Sequence, residues 1–107
     1  MQDRIYTYHA EMCKVFLHPK RLELINILRE KEMSVGELSQ KLGLPLGNLS
    51  QHLAMMRERR MLVSRKEGNV VFYRIANPRL LEVFDLLREI LFEQIRQDAA
   101  LIQGKTS

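Results

Sequence analysis

Apolar residues recur at helical spacing in two short segments near the middle of the chain. In the first segment, Leu38 and Leu42 lie four residues apart. In the second, Leu49, Leu53 and Met56 repeat at intervals of four and three. Side chains at these intervals share one face of a helix, so the pattern predicts two short helices that each bury one side.

Residues with strong preferences for helix ends mark the limits of both helices. Ser34 and Glu37 can form a capping box, in which the hydroxyl and the carboxylate each accept a hydrogen bond from a backbone N–H. Gly43 is suited to the left-handed conformation that ends a helix, and Pro45 to the first turn of the next one. The first helix is therefore predicted to begin at Ser34, and the second to run, after a tight turn, to about Arg59.

Two runs of β-branched and aromatic residues follow the second helix. Leu62–Lys66 and Val70–Ile75 flank the residues Glu67, Gly68 and Asn69. β-branched and aromatic side chains favour strands, and Gly and Asn tolerate the backbone of a tight turn. The segment predicts a two-stranded hairpin.

Longer helices are predicted on both sides of this unit. One runs from about Asp3 to Leu17, and the next from Pro19 to about Lys31 with Leu22, Ile25 and Leu28 facing inward. Asn77 and Pro78 can cap a last helix that reaches about Gln103. We therefore expect a mostly α winged helix-turn-helix, with five helices and a hairpin, in one domain over residues 1–103, and a disordered tail over residues 104–107.

The first and last helices carry more apolar residues than one buried face requires. From Leu80 to Leu91, eight of the twelve residues are apolar. In the first helix the apolar positions are Ile5, Tyr8, Met12 and Phe16, with Tyr6, Cys13 and Leu17 beside them. A second copy of the chain is the simplest cover for such faces, so we expect a twofold dimer through these two helices.

The positive charge is concentrated in the segment that holds the two short helices and the hairpin. The whole chain has a net charge of +4. Residues 34–76 contain seven basic and three acidic side chains, whereas the rest of the chain has ten of each. This concentration favours a partner rich in phosphate, such as DNA, over an ordinary solvated surface.

The apolar runs and the cysteine content bear on where the chain resides. The longest apolar runs are only a few residues long, so we expect neither a signal peptide nor a membrane span, and a cytoplasmic protein. The single cysteine, Cys13, cannot form an internal disulfide, which agrees with a reducing compartment.

The run from His18 to Arg74 resembles the ArsR family of bacterial and archaeal winged-helix repressors. The motifs that carry the resemblance are Pro19-Lys20-Arg21-Leu22-Glu23-Leu24-Ile25, Val35-Gly36-Glu37-Leu38, Lys41-Leu42-Gly43-Leu44, Leu49-Ser50-Gln51-His52-Leu53, and Gly68 with Tyr73-Arg74-Ile75. Two positions depart from the family pattern. Pro45 replaces a usual capping Ser, and Arg59-Arg60-Met61 replaces a common Ala-Gly, so we expect Arg60 to occupy a strained turn position.

The resemblance implies a homodimeric transcriptional regulator, most simply a repressor, whose second short helix lies in the major groove of double-stranded DNA. The predicted base contacts are Asn48, Ser50 and Gln51, with Gly47 allowing close backbone approach. The predicted phosphate contacts are Lys41, Arg57, Arg65, Lys66 and Arg74, and the hairpin tip near Gly68 would reach the minor groove. For His52 the family pattern favours either a DNA-facing or a packing role.

Sensory chemistry has few candidates in this sequence. The family's cysteine pair is missing from Leu38-Ser39-Gln40-Lys41, and the acidic residues of the last helix, Asp85, Glu89, Glu93 and Asp98, have no histidine among them. We therefore predict no metal and no cofactor, and the sequence identifies no effector. His9 and Cys13 lie four apart with His18 beyond, a spacing that can hold a soft metal or haem if a partner subunit adds ligands. The more ordinary interpretation places Cys13 in the core and both histidines at the surface or at a cap.

Two other classes of function remain as alternatives. A winged-helix module that binds proteins rather than DNA would not need the charge concentrated on one segment. A Cys–His enzyme built on Cys13 with His9 or His18 would lack an oxyanion loop, a Gly-rich phosphate cradle and a third orienting group, so we predict that the chain is not an enzyme.

Overall fold

The computed structural model describes residues 2–106, and the side chains of residues 3–101. In chain order the elements are α1 (Gln2–Cys13), the 3₁₀ helix η1 (Lys14–Leu17), α2 (Pro19–Ile27), β1 (Met33–Ser34), α3 (Val35–Leu42), α4 (Leu46–Glu58), β2 (Leu62–Glu67), β3 (Val70–Ile75) and α5 (Arg79–Thr106). The predicted winged helix-turn-helix is confirmed.

The helix-turn-helix forms as its end residues predicted. The Glu37 amide donates to Ser34 Oγ, and the Ser34 amide donates to Glu37 Oε1, each at 3.2 Å, which completes the capping box of α3. Gly43 ends α3 in the left-handed conformation, with φ 63°. The turn is held further by Ser39, whose hydroxyl donates to the Leu44 carbonyl at 2.6 Å. These local bonds fix α3 and α4 relative to each other.

A hydrophobic core lies beneath this unit. Its buried members are Val15, Leu24, Ile25, Leu28, Met33, Leu38, Leu42, Leu49, Leu53, Met56, Met61, Leu62, Ile75, Leu80 and Phe84. All the inward positions predicted for α3 and α4 are among them. The three residues predicted to face inward from the second helix, Leu22, Ile25 and Leu28, all contact the core, although Leu22 is only half-buried, and Leu24 is fully buried in addition. Because α2 packs against η1, α3 and α5, it buries more than a single stripe.

The sheet has three antiparallel strands in the order β1-β3-β2, rather than the two predicted. The additional strand is β1, in which Met33 pairs with Tyr73 and Ser34 with Phe72. A strand of two residues is too short to show an alternating pattern, so it could not be predicted from the sequence. Between β2 and β3 the two-residue turn begins with Gly68 at φ 62°, as expected for the first central position of a type II′ turn.

Several helix ends differ from those predicted. The first helix is interrupted after Cys13 and continues as η1, and α2 ends at Ile27 rather than near Lys31. The last helix continues to Thr106, beyond the predicted end at Gln103. The disorder expected over residues 104–107 stays a prediction, and Ser107 lies outside the described residues.

Helix α1 and one face of α5 display apolar side chains on the surface of the single chain. In α5, Leu80 and Phe84 are buried. The exposed apolar residues of the two helices are Ile5, Tyr6, Tyr8 and Met12 of α1, and Val83, Leu86, Leu87, Ile90, Leu91, Phe92, Ile95 and Leu101 of α5. Of the helix predicted from Asp3 to Leu17, only Val15 and Phe16 of η1 reach the core, and α1 proper lies off it.

A long-range ion pair attaches α5 to α2. Arg29 donates to both carboxylate oxygens of Asp85, at 2.6 and 2.9 Å, and lowers the pKa of that carboxyl. The ion-pair partner of Asp85 thus comes from outside α5. Within residues 2–106, no helix combines the length and the apolar composition needed to cross a membrane.

Candidate nucleic-acid interface

Helix α4 presents a polar face at its N-terminal end. Leu49, Leu53 and Met56 anchor the opposite face in the core. The exposed positions of α4 include Gly47, Asn48, Ser50, Gln51 and Arg57. The structure thus brings together on one surface five of the residues that the sequence marked as DNA contacts.

The start of α4 has an unusual composition. Pro45 precedes the first turn with φ −58° and ψ 148°, and no side chain caps the helix there. A Cβ atom added to Gly47 would meet no described atom within 4 Å. Neither packing nor backbone conformation in this fold therefore requires glycine at position 47, although glycine in a helix costs roughly 0.5–1 kcal/mol relative to alanine.

His52 is half-buried on the side of α4 that faces the start of α2. Its ring lies 4.5 Å from the ring of His18, centroid to centroid, and its Nδ1 atom is 3.4 Å from Nη1 of Arg21. His18 caps α2, because its Nδ1 accepts a hydrogen bond from the Lys20 amide at 3.1 Å. The packing role is the one that these contacts favour for His52, and direct contact with DNA stays a prediction.

The surroundings of His52 make the fold sensitive to pH. Burial, followed by the charges of His18 and Arg21, lowers the pKa of His52 from its ordinary value of 6.5. The unfolded chain therefore takes up this proton more readily than the folded chain. We expect the contribution of neutral His52 to stability to be complete at neutral pH, and to be lost as the pH falls through about 6.5 toward the lowered pKa of the folded state.

Urea unfolding of the wild type and of His52→Gln between about pH 7.5 and 5 measures this contribution. We expect the free energy of unfolding to fall less steeply in the variant, because glutamine does not titrate. Identical pH profiles for the two proteins would contradict this role of His52.

The hairpin of β2 and β3 carries exposed basic side chains. Lys66 and Arg74 are exposed on adjacent strands, and Gly68 forms the tip. Arg65, the third predicted contact here, is already occupied. It donates to the carboxylates of Glu32 and Glu67, which raise its pKa, and its guanidinium lies 4.5 Å from the centre of the Phe72 ring.

The structure divides the seven basic residues of this segment into two groups. Arg59 and Arg65 form ion pairs, with Glu11 for the former and with Glu32 and Glu67 for the latter. Within the described side chains, no ion pair engages the other five, which are Lys41, Arg57, Arg60, Lys66 and Arg74. The charge available for a phosphate backbone is therefore smaller than the sequence count suggests. The pairing of Arg59 was missed, since no local pattern indicates a partner so distant along the chain.

Arg60 adopts the strained conformation that the departure from the family motif predicted. Its φ is 60°, in the left-handed region. The Arg60 amide donates to the Arg57 carbonyl, and the Met61 amide donates to the Met56 carbonyl, each at 2.9 Å. This is the hydrogen-bonding pattern of a Schellman motif. The motif ends α4 and directs the chain into β2.

Cys13 is exposed, so the expectation of a cysteine buried in the core is wrong for the single chain. The turn of helix that faces the core at this point belongs to η1, where Val15 is buried instead. Cys13 and His9 both line an open cavity of about 490 Å³, whereas His18 is engaged in capping α2. Over the described side chains, no group of three or more His, Cys, Asp or Glu residues is arranged to hold a metal ion.

An exposed polar face on the second helix of a helix-turn-helix, with a basic hairpin beside it, defines a winged-helix regulator. Residues 18–64 match the model described as "Bacterial regulatory protein, arsR family". The HTH-type transcriptional regulator Rv0081 of Mycobacterium tuberculosis is 34% identical over 102 residues, which cover 94% of this chain and 90% of that protein. The biofilm growth-associated repressor of Xylella fastidiosa is 35% identical over 82% of this chain and 77% of its own length.

Solved structures agree with these matches. The crystal structure of Rv0081 superposes with a TM-score of 0.82 at 33% identity, covering 89% of this chain and 96% of that one. The homodimeric winged helix-turn-helix domain Mb0332 of Mycobacterium bovis gives a TM-score of 0.81 at 22% identity, covering 90% of this chain and 89% of that one, and supports the fold alone. The chain belongs to the ArsR family of bacterial regulatory proteins. It is a DNA-binding transcriptional regulator and not an enzyme.

Proposed function

We propose that the chain is a homodimeric repressor that binds a twofold-symmetric operator, with α4 of each subunit in the major groove. The observation that carries the proposal is the exposed polar face of α4, in a segment that also holds five basic side chains without ion-pair partners among the described residues. Residues 1–103 act as one DNA-binding unit. The matches to transcriptional regulators favour this function over a module that binds only proteins.

Sequence is read by the first two turns of α4. Asn48 and Gln51 each offer an amide that can pair with an adenine edge through two hydrogen bonds, and Ser50 can bond to a base or a phosphate. Gly47 allows the backbone to approach the DNA closely. The open space around its Cα supports this role, because the fold itself gives no reason for glycine there.

The phosphate backbone is held by exposed cations on α3, α4 and the hairpin. Lys41 lies in the last turn of α3, Arg57 lies in the last turn of α4, and Lys66 and Arg74 lie on the hairpin. The hairpin tip at Gly68 reaches the adjacent minor groove. Arg65 can contact a phosphate only by exchanging its carboxylate partners, so we assign it a weaker contribution than these four cations.

The dimer forms through α1 and the exposed face of α5. An apolar surface of this extent favours burial against a partner, and a twofold axis lets each helix cover its own copy. The homodimeric Mb0332 domain has the same fold. Two copies would present two α4 helices, which matches an operator with half-sites about one helical turn apart.

Bound across a promoter, such a dimer would block transcription, which makes repression the mode of regulation that we propose. A protein that reads bacterial chromosomal DNA works in the cytoplasm, where we place it. The effector is left unassigned. His9 and Cys13, which line one cavity, are the candidate sensor residues, and a thiol adduct there would act through α1 rather than on the DNA contacts.

Selection of bound sequences from random duplex DNA tests the function directly. We expect enrichment of a twofold-symmetric site with two half-sites spaced by about one helical turn. Flat enrichment would contradict the proposal and favour the protein-interaction module.

Substitutions on α4 and on the hairpin should have different effects on DNA binding. We expect Gln51→Ala or Asn48→Ala to relax discrimination at one symmetric pair of base positions by roughly 1–3 kcal/mol for each lost pairing. The matched control is Lys66→Ala, which removes an exposed cation and should weaken all sequences about equally. Competition between the operator and point-mutated operators measures both effects. Uniform losses for both kinds of variant would show that α4 does not read the bases.

A further inference from the structure

The C-terminal end of α4 is tied to α1 by one arginine. Arg59, the C-cap residue directly after α4, donates from Nε to the Glu11 backbone carbonyl at 3.0 Å and from Nη2 to Glu11 Oε2 at 2.7 Å. The Nη1 atom of Arg59 donates to the backbone carbonyl of Met55 in α4 at 3.4 Å. The Arg59 side chain is 22% exposed. Its planar guanidinium, with donors in fixed directions, therefore joins α4 to a residue of α1 that lies 48 positions away in sequence.

A second arginine makes a parallel connection. Arg21 of α2 donates from Nη2 to the Lys14 carbonyl at 2.8 Å and from Nε to the Val15 carbonyl at 3.3 Å. Its Nη1 lies 3.4 Å from Nδ1 of His52 on α4. The backbone at the junction of α1 and η1 is thus held to α4 by two guanidinium groups, which satisfy carbonyls that the end of a helix leaves without partners.

These contacts join the helix proposed for the dimer interface to the helix proposed for DNA reading. The remainder of α1 lies off the core of its own chain, since Ile5, Tyr6 and Tyr8 are exposed. Its orientation relative to α4 therefore depends on what holds its C-terminal end, namely these hydrogen bonds and the packing of η1 against the core. Any tilt of α1 against α4 would move the two α4 helices of a dimer apart or together.

We propose that Arg59 and Glu11 are positioning residues for DNA recognition, which set the separation of the two α4 helices and hence the preferred spacing of the half-sites. The inference rests on the proposed function, in which α1 contributes to the dimer. Neither side chain needs to touch DNA. Their role differs from that of an ordinary surface ion pair, which would change stability slightly and leave the spacing preference intact.

Arg59→Met tests the inference, because it keeps the apolar stem and removes every donor. Glu11→Gln is the milder variant. It removes the side-chain carboxylate but leaves the backbone carbonyl of residue 11, which also accepts a hydrogen bond from Arg59. Lys14→Met is the matched control. Lys14 forms an ion pair with the same Glu11 carboxylate at 2.7 Å, but makes that pair within the α1–η1 segment and not with α4.

The measurement is the affinity of each purified protein for duplexes in which the half-site spacing is changed one base pair at a time. We expect Arg59→Met to lose roughly 2- to 30-fold in affinity at the spacing that the wild type prefers, and to discriminate less between spacings. Glu11→Gln should show the same change to a smaller extent. The double variant should lose no more affinity than Arg59→Met alone, because both substitutions remove the same contact between Arg59 and Glu11. Lys14→Met should keep the wild-type profile.

Sedimentation and urea unfolding of the same proteins separate this role from loss of assembly or folding. A folded, dimeric Arg59→Met with the wild-type spacing profile would overturn the inference and leave the proposed function intact. A wild type that prefers no spacing, or does not bind DNA, would overturn the proposed function and the inference with it. An equal loss at every spacing would also overturn the inference, since it would indicate a plain contact with DNA.

Discussion

Leu87→Glu is expected to convert a stable dimer into a monomer and to abolish operator binding at concentrations where the wild type is fully bound. Leu87 is 50% exposed in the single chain and lies among the other exposed apolar residues of α5. In a dimer seam its carboxylate replacement would be desolvated without a partner, a cost of several kcal/mol. Because the position does not belong to the core, we expect the monomer to remain folded.

Sedimentation at micromolar concentration, with circular dichroism on the same samples, measures this effect. The matched control is Leu87→Met, which conserves volume and apolar character and should stay dimeric. Wild-type protein that sediments as a monomer would refute the dimer. Loss of helical signal in Leu87→Glu would show instead that α5 is needed to fold the single chain.

Salt should weaken operator binding steeply. In the proposed complex each subunit offers Lys41, Arg57, Lys66 and Arg74 to phosphates, so a dimer would make about eight such contacts. The corresponding log–log slope of affinity against salt is roughly −7, because each contact releases a condensed counterion. We expect affinity to fall by roughly 10³- to 10⁵-fold between about 50 and 200 mM salt.

Two neighbouring residues of β2 provide an internal test of this result. Lys66→Ala should reduce the steepness of the slope by about one for each subunit. Arg65→Ala should change it less, because the wild-type guanidinium is already paired with Glu32 and Glu67. Affinity independent of salt would contradict the electrostatic part of the proposal. An equal change of slope in the two variants would show that Arg65 exchanges its carboxylates for phosphates.

Local sequence determined the helix-turn-helix and the hairpin. The capping box of Ser34 and Glu37, the left-handed Gly43 and the turn at Gly68 were predictable because each depends on interactions within a few residues. The strained conformation of Arg60 was also predictable, because Arg60 stands after a helix end, at a position where glycine is common. The inward stripes of α3 and α4 were also predictable, since helical geometry alone places such residues on one face.

The sequence also located the basic segment, residues 34–76, but it did not show which of its basic side chains are free of ion pairs and so available to bind phosphate. Arg65 pairs with Glu32 across 33 residues, and Arg59 with Glu11 across 48. Neither pairing has a local signature, because opposite charges far apart in sequence meet only when the chain folds. The burial of His52 against His18 and Arg21 likewise depends on how α2 crosses α4.

The sequence by itself determined the helix-turn-helix, the hairpin and the surplus of apolar residues in the first and last helices, because each is encoded by periodicity or by residues adjacent in the chain. Tertiary structure decided the third strand at Met33, the pairing of Arg29 with Asp85, and the exposure of Cys13. It also decided that Arg59 would join α4 to α1. These features depend on which distant segments pack together. A two-residue strand or a single side chain has no periodic pattern in the sequence from which such packing could be predicted.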